Sequence, residues 1–329
     1  MKRLVIGLVL VVAMATTALA DGPVVGPLAP HLQDVSVTIN SGAGEGSGVI
    51  VTRELKDGDK KVLVNFVWTA AHVVDNLRSV RTVIDSKTGV SKKIVEFRDA
   101  YIIKELVEKG RRVGELKMDA RIIKYSHSET GEDLALLMVR KRDFVKASAK
   151  FHNDGPSIVP IGTKLFHVGS LLGQDGSNSM TSGIMSQVGR VIDLGKADGT
   201  VFDQTTVTAF PGSSGGGVFV AGEEKEMVKH RGQYCGMLVR GAGETFNLIV
   251  PVRRMITWAK DNNCSWALDE SAKTPTMSEL NSHTWVVEDN GTQSSHSYSD
   301  AEENNKKYGL KFLLQTNEKD FSTILKIKP

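Results

Sequence analysis

The chain has 329 residues, 40% of them apolar and 24% charged, which is too apolar for a disordered chain and long enough to bury a core in one large domain or two. Its 41 basic and 38 acidic residues leave a net charge of +3, which is no nucleic-acid footprint. The 32 glycines, above the ~7% of ordinary chains, point to many turns. Residues 1–20 read as an export signal: Lys2 and Arg3 lead an apolar run from Leu4 to Ala15, and Ala18-Leu19-Ala20 gives a small-x-small cleavage site. The run is short of the ~18 apolar residues of a spanning helix, so no stable membrane insertion is expected after cleavage. An uncleaved anchor is the alternative. Residues 21–34 read as a linker.

From residue 35 to about 255 short β signals alternate with glycine-rich turns. Val35–Ile39, Ser47–Thr52 and Lys61–Trp68 come first, with Asp57-Gly58 marking a turn. Residues 78–120 are rich in Lys, Arg and Glu and read as an elaborated loop or hairpin, with Ala100–Gly110 as a short amphipathic helix. Arg121–Tyr125, Leu134–Val139, Lys164–Val168, Gly183–Ile192, Thr205–Thr208, Gly217–Val220, Gln233–Val239 and Thr245–Val250 are further strands. Many short strands predict an all-β barrel or sandwich, and the missing helical periodicity argues against alternating strands and helices. Residues 252–262 have helical spacing after Pro251 and close the domain. The polar stretch 268–308 reads as flexible, while Tyr308–Pro329 regains Leu, Phe and Ile and is expected to dock on the body or on a partner. The two cysteines, Cys235 and Cys264, are one disulfide or two buried thiols, and sequence leaves both open. No His/Cys spacing suggests a metal.

Three motifs carry chemistry: Thr69-Ala70-Ala71-His72, then Asp133-Leu134-Ala135 after a turn, then Gly212-Ser213-Ser214-Gly215-Gly216. A serine hydroxyl is a poor nucleophile and needs a base within hydrogen-bond reach; His has the matching pKa. The His needs a carboxylate to fix its tautomer, and glycines beside the serine let the backbone aim N–H groups at an oxyanion. The order His, Asp, Ser resembles that of the trypsin-like, chymotrypsin-fold serine peptidases. The bacterial branch with the HtrA/Deg proteases is the more similar: Gly46-Ser47-Gly48, Ser182-Gly183-Ile184-Met185-Ser186, Gly236-Met237-Leu238-Val239 and Val250-Pro251 look like its strands. The resemblance covers about residues 35–262; no PDZ-like region is seen, and 263–329 is left as a polar, partly disordered tail.

This resemblance implies two packed six-stranded antiparallel β-barrels, divided near residues 145–160, with a C-terminal helix. It implies an exported (periplasmic or secreted) serine endopeptidase that acts on polypeptides and needs no cofactor and no metal. Ser214 would be the nucleophile, His72 the base and then the acid, and Asp133 the orienter. The N–H groups of Gly212 and Ser214 would form the oxyanion hole. Asp99, 27 residues after His72, competes with Asp133, but Asp133 opens an apolar strand as the family pattern does. Ser213 stands where animal enzymes carry the Asp that pairs with a new N-terminus, so that activation route is not expected. Thr208, six residues before Ser214, would floor the specificity pocket and is not acidic. Leu238, Val239 and Asn247 would wall it, a small or aliphatic residue fits best, and Gly241 would pair with an extended substrate. Two other readings remain: a catalytically silent homologue that binds partners, or a viral or phage processing protease of this fold. The oligomeric state is left open.

Overall fold

The computed structural model describes residues 28–84, 86–87, 89–155, 157–193, 199–241, 245–282 and 286–289. The signal-like segment 1–20 and the apolar stretch 308–329 lie outside them. Among the described residues no helix is long and apolar enough to cross a membrane.

The chain folds into two closed six-stranded antiparallel barrels. The first is built from β1 (Ser36–Asn40), β2 (Glu45–Asp57), β3 (Lys60–Thr69), β6 (Ala100–Glu108), β7 (Arg111–Ser126) and β8 (Leu134–Val139). Between β3 and β6 runs a separate two-stranded ribbon, β4 (Arg78–Ile84) with β5 (Ser91–Phe97). The second barrel holds β9 (Lys164–Gly169), β10 (Ser179–Ile192), β11 (Thr200–Thr205), β12 (Gly217–Val220), β13 (Tyr234–Gly241) and β14 (Asn247–Pro251). The helices are short: α1 (Leu28–Asp34), α2 (Ala71–Val74), α3 (Val252–Asp261) and α4 (Met277–Asn281). Closure removes the unpaired edges that a sheet would expose. The barrel expectation therefore holds, and most of the expected strands and the closing helix fall where the sequence places them.

Several expectations change. Ala100–Gly110 is no helix. Ile102 and Ile103 are buried against β1 and β7, and the chain reverses at Lys109-Gly110, both with positive φ (51° and 76°), as a two-residue hairpin turn requires. Pairing on both edges outweighs the helix-like spacing of Ile102, Leu106 and Val107. The strand expected at Thr205–Thr208 runs instead over Thr200–Thr205. Within the stretch read as a linker, residues 28–34 form α1, with Leu28 and Leu32 buried.

No disulfide joins Cys235 and Cys264; both thiols are free and buried. Cys235 lies in the apolar cluster of the second barrel and donates its S–H to the Val218 carbonyl, while Cys264 lies in the larger cluster that includes the first barrel. Burial raises both thiols, Cys264 to about 12.

The beginning of the polar tail is packed structure. Trp266 stacks edge-on against Phe66 with centroids 4.6 Å apart, and the Ala267 carbonyl accepts from Trp68 Nε1 at 3.2 Å. Leu268, Met277 and Leu280 are buried, and α4 begins on a capping box between Thr276 and Glu279. Residues 286–289 run beside β7, where Tyr125 N–H donates to Val287 O and Asp289 N–H to Tyr125 O. Arg78 holds Glu288 through two nitrogens, and Lys124 Nζ donates to the Val286 carbonyl at 2.6 Å.

This packing sets a stability test. Ending the chain after Asn262 should cost solubility or cooperative folding relative to ending it after Asp289. Trp266→Ala should cost about 3–5 kcal/mol in denaturant unfolding, as other large buried aromatic truncations do. A variant ending at Asn262 with full stability would show that these contacts contribute nothing.

Candidate active site

His72 sits on α2, directly after β3 enters the seam between the barrels. Its side chain is 35% exposed, while that of Asp133 is 6% exposed. The Asp133 carboxylate accepts twice from this residue: from the His72 backbone N–H at 3.0 Å, and from Nδ1 at 2.9 Å to Oδ2 and 3.1 Å to Oδ1. A carboxylate only accepts, so the proton of this bond sits on Nδ1, and Nε2 is the ring nitrogen that Asp133 does not engage. Asp133 is left-handed (φ 57°), a conformation that Asp tolerates better than most residues. Its neighbour Glu132 holds it there. Arg254 on α3 binds the Glu132 carboxylate through Nε and the Glu132 carbonyl through a second nitrogen at 3.0 Å. Both side chains are buried, and the same guanidinium lies over Phe202 and donates to Val201 O at 2.9 Å. A helix after the second barrel therefore fixes the Asp loop of the first.

Asp99 is elsewhere. It pairs with Arg140 on the surface of the first barrel and makes no contact with His72.

Ser214 lies at the summit of a tight turn between Gly212 (φ 92°) and Gly215 (φ 86°). Gly215 has no room for a side chain, because a Cβ would fall 2.2 Å from Ser47 O and 2.3 Å from Thr69 Oγ1. It would also lie 3.0 Å from Ala70 N, two residues before His72. The Ser214 carbonyl accepts from Ser47 N–H at 2.7 Å, and Gly215 N–H donates to Leu238 O at 2.8 Å. The turn is thus sewn to β2 on one side and β13 on the other, and it lies against Thr69 and Ala70, which lead into His72. Ser213 is 1% exposed, and its Oγ accepts from Phe210 N–H at 3.0 Å, closing the turn from inside. Among the described residues no backbone carbonyl accepts from the N–H of Gly212 or of Ser214.

The residues expected to shape specificity lie along the second barrel. The Thr208 carbonyl accepts from Thr181 Oγ1 at 2.9 Å. Asn247 is fully buried and donates through Nδ2 to the Val207 carbonyl at 2.7 Å. Gly241 pairs with Asn247, and a Cβ at Gly241 would lie 2.4 Å from Asn247 Oδ1. Leu238 and Val239 are core residues, 2% and 3% exposed, whose side chains pack in the apolar clusters. Sequence reasoning missed Ser47 Oγ, which accepts from Ser170 N–H and donates to Gly212 O, both at 2.7 Å. It also missed Arg254; neither side chain has a local pattern that names its distant partner.

A family model described as a trypsin-like peptidase domain matches residues 46–228, a span that contains His72, Asp133 and Ser214. The chain belongs to the trypsin-like peptidases. Over 92 residues this peptidase is 38% identical to the serine protease Do-like HtrB of Bacillus subtilis (strain 168). That match covers 27% of this chain and 19% of the relative, so the chain spans about a fifth of that protein's length. The peptidase also resembles two solved structures. The crystal structure of Deg5 is 18% identical, with a TM-score of 0.47 over 74% of this chain and 94% of that one. Rv3671c from M. tuberculosis H37Rv, in the inactive form of a serine-to-alanine mutant, is 15% identical, with a TM-score of 0.48 over 74% and 93%.

Beneath the serine turn, His167 on β9 is fully buried, with Nδ1 3.0 Å from the Gly217 carbonyl. Its Cε1 lies 2.5 Å from the place a Gly216 Cβ would take. Burial lowers its pKa from 6.5 to about 4. A histidine held neutral in the fold is protonated more readily when unfolded. Its stabilisation is therefore complete above the unfolded pKa and falls as pH drops from about 6.5 through about 4, by about 3 kcal/mol in all. In His167→Asn the amide can still donate to Gly217 O, so unfolding free energies at a series of pH values should show a shallower acid slope in that window. An unchanged slope would contradict the burial argument.

Proposed function

We propose that this trypsin-like peptidase is an exported serine endopeptidase that cleaves polypeptides through an acyl-enzyme. The observation that carries the reading is the double hold of Asp133 on His72, which supports Nε2 as the basic nitrogen at the cleft. Ser214 Oγ attacks the scissile carbonyl carbon while its proton passes to His72 Nε2. The carbonyl oxygen gains negative charge and is met by the N–H groups of Gly212 and Ser214. The tetrahedral intermediate collapses, His72 gives the proton to the leaving amine, and the acyl group remains on Ser214. A water then loses its proton to His72 and attacks the ester, and the proton returns to Ser214 as the acid product leaves. Asp133 holds the imidazole tautomer and compensates its charge in each half-reaction.

For specificity, Thr208 brings no charge to the pocket floor and Asn247 stays tethered to Val207 O at 2.7 Å, which supports a small or aliphatic residue before the cut. Export is inferred from Lys2, Arg3, the apolar run to Ala15 and the Ala18-Leu19-Ala20 site.

Ser214→Ala should lower peptide hydrolysis by about 10⁴-fold or more while leaving the melting temperature in place. Asp133→Asn should cost roughly 10⁴-fold in turnover by mis-setting the tautomer, whereas Asp99→Asn should stay near the parent rate. The check is kcat on a peptide library hit with each purified variant. Robust turnover by Ser214→Ala would reject the nucleophile, and a large loss in Asp99→Asn alone would move the orienter.

A further inference from the structure

The loop 170–178 between β9 and β10 lies against the Pro211–Gly212 turn on one side and the first barrel on the other. Its inner end grips the turn at two carbonyls. Leu172 N–H donates to Pro211 O at 2.7 Å. Ser170 N–H donates to Ser47 Oγ, which donates onward to Gly212 O, each at 2.7 Å. Thr38 Oγ1 and Ser170 Oγ lie 2.5 Å apart and add a further tie to β1. A peptide unit is planar and trans, so its C=O and its N–H point in opposite directions. Whatever fixes the Pro211 carbonyl therefore fixes the direction of the Gly212 N–H.

The gripping residue is held in a conformation it would not choose alone. Leu172 is left-handed (φ 64°) and the residue is 67% exposed, so little of its own packing keeps it there. The next residues supply the anchor. Glu45 on β2 accepts from Gln174 N–H through Oε2 at 2.7 Å and from Asn40 Nδ2 through Oε1 at 2.9 Å. Gly173 (φ 77°) passes so near that a Cβ would lie 2.3 Å from Glu45 Oε2. The outer end of the loop is tied to the long β6–β7 hairpin: Gln174 Nε2 donates to Glu115 Oε2 at 2.9 Å, and Ser177 Oγ donates to Glu105. Glu105 and Glu115 face each other across that hairpin, and Arg112 contacts both.

We propose that Glu45 is a positioning residue for the oxyanion hole. Its carboxylate anchors Gln174, the anchor keeps Leu172 and Gly173 left-handed, and Leu172 sets the Pro211–Gly212 peptide so that the Gly212 N–H serves the oxyanion. Glu105 and Glu115 anchor the other end of the loop, which couples the hairpin to the same peptide. The inference rests on the reading of Ser214 as nucleophile.

The test compares the parent, Glu45→Gln and Glu45→Ala in kcat, KM, affinity for a peptide aldehyde, and melting temperature. An aldehyde adduct places an oxyanion in the hole, whereas KM for a slow peptide reports ground-state binding. Glu45→Ala should lose tenfold or more in kcat and in aldehyde affinity, with KM within about twofold, because only the transition-state donor is disturbed. Glu45→Gln can accept from Gln174 or from Asn40 but not from both, so its loss should be intermediate. Should Glu45→Ala fail to fold, Glu45→Gln decides alone: a several-fold fall in kcat at constant KM supports the brace, and the parent kcat overturns it. Parent values in both folded variants, or a fall in kcat matched by the fall in folded fraction, also overturn it. Labelling of the parent at Ser214 by a fluorophosphonate separates the two levels. An unlabelled parent rejects the serine reading and this inference with it, while a labelled parent with unaffected Glu45 variants rejects the brace alone.

Discussion

Asp133 keeps its carboxylate at 6% exposure in the seam of two barrels, where an uncompensated charge is costly. Compensation comes from a single residue used twice, the backbone N–H and the ring Nδ1 of His72. That double hold fixes where α2 sits and which ring nitrogen of His72 faces the carboxylate. The backbone at Asp133 is left-handed, so the residue depends on its surroundings to stay there. Arg254 provides this by binding both the side chain and the carbonyl of Glu132. Breaking one side of such a buried pair strands the other charge, which typically costs ~3–5 kcal/mol. The His72–Asp133 pair of the first barrel therefore leans on a helix that the chain adds after completing the second.

The serine turn shows the same dependence in the other direction. It belongs to the second barrel, yet its shape is set by β2: Ser47 donates its N–H to Ser214 O and its hydroxyl to Gly212 O, and its own carbonyl fills the space a side chain at Gly215 would need. Two positive-φ glycines allow the turn, and Ser213 closes it with a hydrogen bond from Phe210. Neither barrel alone contains the arrangement. Packing the two together lays the serine turn against β2 and against Thr69 and Ala70, just ahead of α2.

Much of this was readable in the sequence because it is local. Alternation marks β1, apolar runs between turns mark β8 and β12, Pro251 marks the start of α3, and two of the three motifs supply the bonded pair His72 and Asp133. What was hidden depends on distant partners. Ala100–Gly110 carries apolar residues at both helical and extended spacings, and only pairing with β1 and β7 decides between them. The polar composition after Cys264 concealed Trp266, Leu268, Met277 and Leu280, isolated apolar residues that cover one side of the first barrel. An even number of cysteines suggested a bond, but the thiols sit in separate apolar clusters. Glu45, Ser47 and Arg254 act across more than a hundred residues of sequence or through backbone atoms, and no spacing rule reaches that far.

The central claim is that the cleft activates one particular serine. Intact-mass analysis after treatment with a fluorophosphonate, followed by peptide mapping, tests it most directly, since an ordinary hydroxyl does not react. A single adduct is expected, carried by the peptide that contains Ser214. A folded protein that takes up no adduct, or takes it up on a different serine, would contradict it.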